Sequence, residues 1–173
     1  MRVKIDAAMR EMAAWAEQQC NEQYADSVKG NYTGLSADMR WYYGFLGELV
    51  FVRYCQVQWL RHRYEPAFKG RDITDIEIWL KRYGKLGIDV KTASKPSHRY
   101  LMIPEAQLRS HPSEMYVGVR INGPDEGEIL GFCLKKDLQP ITNMGLKIPT
   151  RGIAFDRLLP IERLTTQAVK VMG

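Results

Sequence analysis

The stretch DIEIWLKRYGKLGIDVK, residues 75–91, decides the fold, because it has the pattern of two β-strands joined by a turn. Residues 76–80 and 88–91 are rich in apolar and β-branched side chains, which favour strands. The segment 81–85 between them is polar and contains a glycine, as turns commonly do. The sequence therefore predicts an antiparallel hairpin.

Three charged residues of this hairpin point to a functional site. Residues two apart on a strand project from the same face, so the carboxylate of Asp89 and the ammonium of Lys91 should lie side by side. Asp75 precedes the first strand, and the antiparallel pairing would return it to the level of these two residues. Two carboxylates and a cation at one strand end predict a site for a hard metal ion.

A helix upstream of the hairpin supplies a third carboxylate. Residues 36–60 are rich in apolar side chains and contain no proline, and Ser36 is placed to act as the N-cap. One face of the predicted helix carries Trp41, Phe45, Glu48, Val52, Cys55 and Trp59. An unpaired carboxylate on an apolar face costs on the order of several kcal/mol unless a proton, a partner or a metal ion compensates it. Gly44 and Gly47 flank Glu48, and we expect them to allow a close approach of backbone or ligand.

Each of these charged residues also has a structural interpretation. Asp89 and Lys91 could form a solvent-facing pair on the strand. Asp75 could be a strand-entry residue, and Glu48 could pair with Arg53. Taken one at a time these interpretations compete with catalysis, but the joint occurrence of three acids and a lysine favours a metal site.

Two segments carry a resemblance to a known superfamily. GFLGELVF (44–51) and GIDVKTAS (87–94) resemble the corresponding helix and strand of the PD-(D/E)xK nucleases. The similarity is to small phage or bacterial members, resolvase-like or restriction-endonuclease-like, and it covers about residues 36–135. One departure is Thr74, which precedes the first aspartate where proline is usual. The resemblance implies an α+β fold with a restriction-endonuclease-like core, a mixed β-sheet flanked by helices, and an extra N-terminal helix.

The resemblance also implies the chemistry of the site. It implies metal-dependent hydrolysis of DNA phosphodiester bonds, with Mg²⁺ or Mn²⁺ as the cofactor. Asp75 and Asp89 would bind the metal directly, with Asp72 as the alternative to Asp75. Glu48 would complete the ligand shell, while Lys91 would orient or deprotonate the attacking water or stabilise charge on the phosphate, with desolvation able to lower its pKa. The alternative is a catalytically inactive module on the same fold that binds nucleic acid or protein.

The charge of the chain is in the direction expected for a polyanionic partner such as DNA. The net charge is +5 and the pI is near 9.1. The basic residues expected to contact phosphates are Arg61, Arg63, Lys81, Arg82, Lys85, Lys95 and Arg99. Any one of them could equally be a solvated residue of a turn or helix end. A homodimer would supply two sites for the two strands of a duplex.

The composition predicts one nuclease-like domain over residues 1–173, since a chain of this length with 45% apolar residues can bury a sizeable core. Its parts would be an amphipathic helix at about 4–28, a core at about 36–135, and C-terminal strands and a helix within 136–173. Three widely spaced cysteines match no zinc or disulfide pattern, and no segment has the pattern of a secretory signal or membrane span. We therefore expect a cytoplasmic protein that makes no membrane contact, from a bacterium, phage or archaeal host.

Further elements are expected along the core and the tail. Strands are predicted at 99–103, 115–121 and 128–135, a helical turn at 104–110, an irregular basic link at 61–66 and a helix at 160–171.

Overall fold

The structure is a computed structural model that describes residues 1–24, 37–66, 74–110, 113–142 and 144–171. The helices are α1 (Ala7–Tyr24), α2 (Ala37–Val57), α3 (Glu105–Ser110) and α4 (Ile161–Gln167). The strands are β1 (Arg2–Lys4), β2 (His62–Tyr64), β3 (Ile76–Leu80), β4 (Gly84–Ala93), β5 (Tyr100–Pro104), β6 (Met115–Ile121), β7 (Glu126–Leu134), β8 (Gln139–Pro140) and β9 (Thr150–Ala154). Single 3₁₀ turns lie at Lys135–Asp137 and Phe155–Arg157.

Two sheets form the framework. The first is six-stranded with the order β1-β7-β6-β4-β3-β2. Its central pair, β4 and β6, is parallel, and its other pairs are antiparallel. The second is a small antiparallel sheet with the order β5-β9-β8. The predicted α+β class with a mixed sheet is confirmed.

The two faces of the six-stranded sheet are covered differently. Helix α2 packs on one face, and α1 packs on α2, so that Ile88 and Val90 of β4 join the larger core cluster. On β6, which lies beside β4, Tyr116 instead belongs to a second cluster with residues of β5, β9 and α3. Because side chains alternate along a strand, Asp89 and Lys91 project away from the α2 face, on the side of Tyr116.

The predicted hairpin is confirmed, with Ile76 of β3 opposite Ile88 of β4 and a turn at residues 81–83. The strands and helical turn predicted between residues 99 and 135 are also present, as β5, α3, β6 and β7. The prediction of an irregular link at 61–66 is wrong for the central residues of that segment. His62 and Tyr64 alternate inward there, and the segment adds β2 to the edge of the sheet beside β3.

The ends of three helices differ from the sequence-based expectation. Helix α1 begins at Ala7 rather than at 4, since the Asp6 carboxylate accepts the Met9 N–H at 3.0 Å and caps the helix. Its predicted continuation to 28 lies outside the described residues, as does Ser36. Helix α2 ends at Val57, and Trp59 takes a left-handed conformation with φ 56° that leaves it exposed.

The C-terminal helix α4 is shorter than predicted and ends at Gln167. Beyond it the chain is extended, because Ala168 and Lys170 form bridges to Leu80 and Leu60. These bridges hold the tail against the outer part of the six-stranded sheet.

The cysteines are Cys20, Cys55 and Cys133, all buried and none in a disulfide bond. Burial raises the pKa of the Cys20 thiol to about 11 and those of Cys55 and Cys133 to about 12.

Among the helices in the described ranges, none combines the length and the apolar character that crossing a membrane requires.

Glycine at position 47 allows α2 to lie directly on strand β4. A Cβ atom built at Gly47 would lie 1.9 Å from Oγ1 of Thr92, a separation that no side chain could tolerate without movement. At Gly44, one turn earlier on the same helix, no described residue places an atom within 4 Å of the equivalent position apart from the backbone of the helix itself. The contact at Gly47 therefore sets the distance between the helix that bears Glu48 and the strand that bears Asp89.

We predict opposite stability changes for Gly47→Ala and Gly44→Ala. Alanine is favoured over glycine within a helix by roughly 0.5–1 kcal/mol, so Gly44→Ala should raise the free energy of unfolding. Gly47→Ala gains the same propensity but must displace Thr92, which costs about 1–3 kcal/mol, and should lower it. Urea denaturation gives the free energy of unfolding of both variants. Equal changes of the same sign would contradict the close contact between Gly47 and Thr92.

Candidate functional site

The hairpin places Asp75 beside strand β4. Oδ2 of Asp75 accepts a hydrogen bond from the Val90 N–H at 2.7 Å. Because Val90 lies between Asp89 and Lys91 in the chain, this bond holds the Asp75 carboxylate near both residues. The entry to β3 is shaped by Gly87, where a Cβ atom would lie 2.3 Å from the methyl group of Thr74. The alternative acid, Asp72, lies outside the described residues.

Asp89 and Lys91 form an ion pair, with Nζ of Lys91 2.6 Å from Oδ1 of Asp89. The Asp89 side chain is 4% exposed and that of Lys91 is 24% exposed, so this is not the solvent-facing pair of the structural interpretation. Lys91 is the partner of this buried oxygen, and because a carboxylate oxygen can accept more than one contact, Oδ1 of Asp89 has capacity for a further cation or donor.

Helix α2 carries Glu48, whose carboxyl group is coupled electrostatically to Asp89 and Lys91. Its Oε2 accepts a hydrogen bond from the Tyr64 hydroxyl at 3.0 Å. The alternative partner, Arg53, forms its ion pair with Asp6 instead. Tyr64 was not identified from the sequence, because its position depends on β2 joining the sheet edge beside Ile76.

The carboxyl groups influence one another's protonation. Burial raises the pKa of Glu48 to about 7, and the charge of Asp89 adds to the rise, while the Tyr64 hydroxyl and Lys91 oppose it. Burial likewise holds the pKa of Asp75 well above its ordinary value, with further contributions from Glu48 and Asp89. Such mutual effects require proximity, so the three carboxylates belong to one electrostatic cluster.

Lys91 is the cation of this cluster. Burial alone would lower the pKa of its ammonium, but the charges of Asp89 and Asp75 outweigh burial and the net pKa is raised. Desolvation thus acts on the pKa of Lys91 in the expected direction, but the neighbouring carboxylates outweigh it and favour the ammonium form.

The donor set fits a hard divalent metal ion in its chemistry. Three carboxylates supply the oxygen ligands that Mg²⁺ prefers, and a cation would offset the burial and the mutual repulsion that raise the pKa of Glu48 and of Asp75. Within the described ranges, no three His, Cys, Asp or Glu side chains already stand in a metal-binding arrangement. Metal binding would therefore require these carboxylates to move from their present positions.

The basic residues predicted to bind DNA fall into separate groups. Lys81, Arg82 and Lys85 lie at the turn end of the hairpin, and Lys85 is six residues along β4 from Lys91, roughly 20 Å. Lys85 is moreover paired with Glu77 at 2.6 Å. These three residues are not brought to the site.

The remaining basic residues lie nearer to the site or on the sheet edge. Lys95 and Arg99 are exposed in the segment that follows β4 beyond Lys91. On the β2 side, the Arg61 guanidinium lies 4.7 Å over the Trp79 ring, and Arg63 pairs with Glu65 at 2.8 Å.

The raised pKa of Glu48 predicts how stability depends on pH in metal-free protein. A carboxyl group whose folded-state pKa exceeds its unfolded value stabilises the fold below the unfolded pKa, here 4.5, and this stability is lost as the pH rises through about 7. The loss attributable to Glu48 is at most roughly 3 kcal/mol, at about 1.4 kcal/mol per pH unit. Glu48→Gln should retain a partner for Tyr64 but remove this dependence.

Thermal unfolding in EDTA from about pH 5 to about pH 8 measures the effect. Relative to wild type, Glu48→Gln should become progressively more stable as the pH rises. A difference between the two proteins that does not change with pH would rule out the proposed titration of Glu48.

Comparison with known protein families, with curated proteins and with solved structures finds no match to this chain. Assignment of a function therefore depends on the geometry and chemistry of the site formed by Glu48, Tyr64, Asp75, Asp89 and Lys91.

Proposed function

We propose that the protein hydrolyses phosphodiester bonds of DNA with the help of Mg²⁺ or Mn²⁺. The observation that carries the proposal is the position of Asp75, bound to the Val90 N–H, beside the largely buried Asp89–Lys91 pair, with Glu48 coupled to them electrostatically. Burial of three carboxylates with one cation is costly unless a further positive charge or protons compensate it. A divalent ion next to a protonated lysine can neutralise the negative charge that develops during hydrolysis of a phosphate ester.

Each side chain has a role that follows from its environment. Asp75 and Asp89 would hold the metal ion, with Asp75 already fixed by the Val90 N–H, and Glu48 would complete the ligand shell directly or through a water molecule. When bound, the ion would polarise the phosphate and favour ionisation of water. Lys91, as a stable ammonium, would neutralise negative charge that develops on the phosphate oxygens.

Glu48 is suited to receive a proton. Its Oε2 accepts from Tyr64, which leaves Oε1 to accept a proton from the attacking water. In metal-free protein burial raises the pKa of this carboxyl group to about 7, and a bound cation would lower that pKa and favour the ionised form that accepts a proton.

We propose DNA as the substrate and a second copy of the chain as a partner for cutting both strands. The net charge of +5 favours association with a polyanion, and the exposed Lys95 and Arg99 lie beyond the lysine end of β4. Because one site cuts one strand at a time, two copies related by symmetry would cleave a duplex most simply.

A binding module that does not cut is the second candidate. The observation that favours it is the Lys91–Asp89 ion pair, which balances the charge of Asp89 without a metal ion. Such a module would bind DNA or protein with the carboxylates serving only as structural groups.

Cleavage of supercoiled and linear DNA with Mg²⁺ or Mn²⁺ separates these candidates. Lys91→Ala and Asp89→Asn should each lower the cleavage rate by about 100-fold or more, as loss of a transition-state contact or a metal ligand does. Lys85→Ala is the matched control, since Lys85 lies on the same strand in an ion pair of the same length. The proposal fails if wild type neither cuts DNA nor binds metal, or if both site variants cut like the control.

Tyr64→Phe should weaken metal binding without removing it. Loss of the hydroxyl leaves Glu48 without its hydrogen bond, and loss of such a supporting contact raises the metal concentration needed for half-saturation by about 10- to 100-fold. The increase in melting temperature on adding Mn²⁺ measures this without reference to activity. Tyr54→Phe is the control, because its buried hydroxyl bonds Thr165 instead, and equal shifts in both variants would contradict a role for Tyr64.

A further inference from the structure

Arg120 lies on the same face of the sheet as the proposed catalytic residues. The parallel register sets Asp89 beside Tyr116, Lys91 beside Gly118 and Ala93 beside Arg120. Residues two apart on a strand share a face, so Tyr116 and Arg120 project on the side of Asp89 and Lys91. The backbone positions of Lys91 and Arg120 are one strand and two residues apart, roughly 8 Å.

The Arg120 guanidinium has more donors than acceptors around it. Nη2 donates to the His98 carbonyl at a long 3.4 Å, and Nη1 lies 3.8 Å from Oε2 of Glu128, beyond hydrogen-bond range. Nε is buried, and it has no hydrogen-bond partner in the part of the chain that the structure describes. A guanidinium carries five N–H donors in a planar fork, and leaving several of them unpaired in a partly buried position costs free energy.

The surroundings hold this guanidinium in place and keep it electropositive. The Phe155 ring lies 5.5 Å beneath it, a geometry that supports a cation from one side. The pKa of His98 is lowered by burial and by the charges of Lys95 and Arg120, so positive charge exceeds negative charge here. The side chains of Arg120 and Lys91 are 20% and 24% exposed, so both retain access to solvent.

We propose that Arg120 binds a phosphate group of the DNA strand next to the cleavage site, with Lys95 and Arg99 extending the contact. The identity of the ligand rests on the proposed function, but the binding step does not require cleavage. A phosphate oxygen supplies the acceptors that the Arg120 fork lacks, and Arg is suited to such forked contacts. The strand would then run from Lys91 along the outer end of β4 and β6, away from the hairpin turn.

Binding of a fluorescein-labelled duplex oligonucleotide to the full chain in EDTA, followed by anisotropy at several salt concentrations, tests this inference. Arg120→Gln should weaken binding about tenfold and reduce the slope of log K against log salt by about 0.9, the effect of losing one phosphate contact. Arg120→Lys, which retains the charge, should recover the salt slope and part of the affinity. Lys85→Gln removes the same charge at the far end of β4 and should change affinity by less than about twofold.

Two substitutions at acidic residues, one near Arg120 and one far from it, provide the test if Arg120→Gln does not fold. Glu128→Gln removes the carboxylate nearest to Arg120 and should tighten DNA binding, whereas Glu77→Gln, beside Lys85, should not. Equal effects of the near and far substitutions, or an unchanged affinity in Arg120→Gln, would overturn the inference.

DNA binding and DNA cleavage together separate the role of Arg120 from the proposed function. If wild type cuts DNA with Mn²⁺ but Arg120→Gln binds and cuts normally, only the role of Arg120 is lost. If the Arg120 effects on binding appear but wild type does not cut, the phosphate contact stands and the protein is a binding module.

Discussion

The close packing of helix α2 on strand β4 at Gly47 is the constraint on which the remainder of the site depends. The helix backbone touches the Thr92 side chain there, and the next residue, Glu48, is thereby carried toward the hairpin. A larger residue at 47 would lift the helix and withdraw the only carboxylate of the cluster that does not come from the hairpin itself. Packing and function thus share one contact, so a change in stability at this position should also alter the electrostatics of the site.

The second organising feature is a charge imbalance beneath the surface. Glu48, Asp75 and Asp89 are coupled electrostatically to one ammonium, and burial, reinforced by their mutual repulsion, raises the pKa of the first two carboxyl groups. In metal-free protein, protons and Lys91 reduce that cost. A divalent ion would do so more fully, which links the electrostatics of the fold to the proposed chemistry.

The hairpin and the Glu48 helix could be predicted because their signals are local. A period of two in residues 76–80 and 88–91 and a polar turn between them fix the register, and the register brings Asp75 to Val90. The partner of Glu48 could not be predicted in this way. Tyr64 belongs to a three-residue strand whose formation depends on the edge of β3 rather than on its own sequence.

Charge placement was predicted less well, because proximity in sequence is not proximity in space. Lys85 and the turn residues belong to the same hairpin as Asp89 but lie at its opposite end. The position of Arg120 near the site could not be predicted, because this residue stands alone in an apolar strand. Its position follows only from the parallel pairing of β4 with β6. The pKa of Lys91 likewise depends on how many acids surround it, which no local pattern reports.

Diffraction from crystals soaked in Mn²⁺, with anomalous scattering to locate the metal, tests directly whether the carboxylates bind a divalent ion. We expect an anomalous peak in contact with the carboxylates of Asp75 and Asp89, and no such peak in crystals of Asp89→Asn. Metal binding at this site would be contradicted if wild-type crystals at saturating Mn²⁺ showed no peak there and Lys91 kept its full ion pair with Asp89.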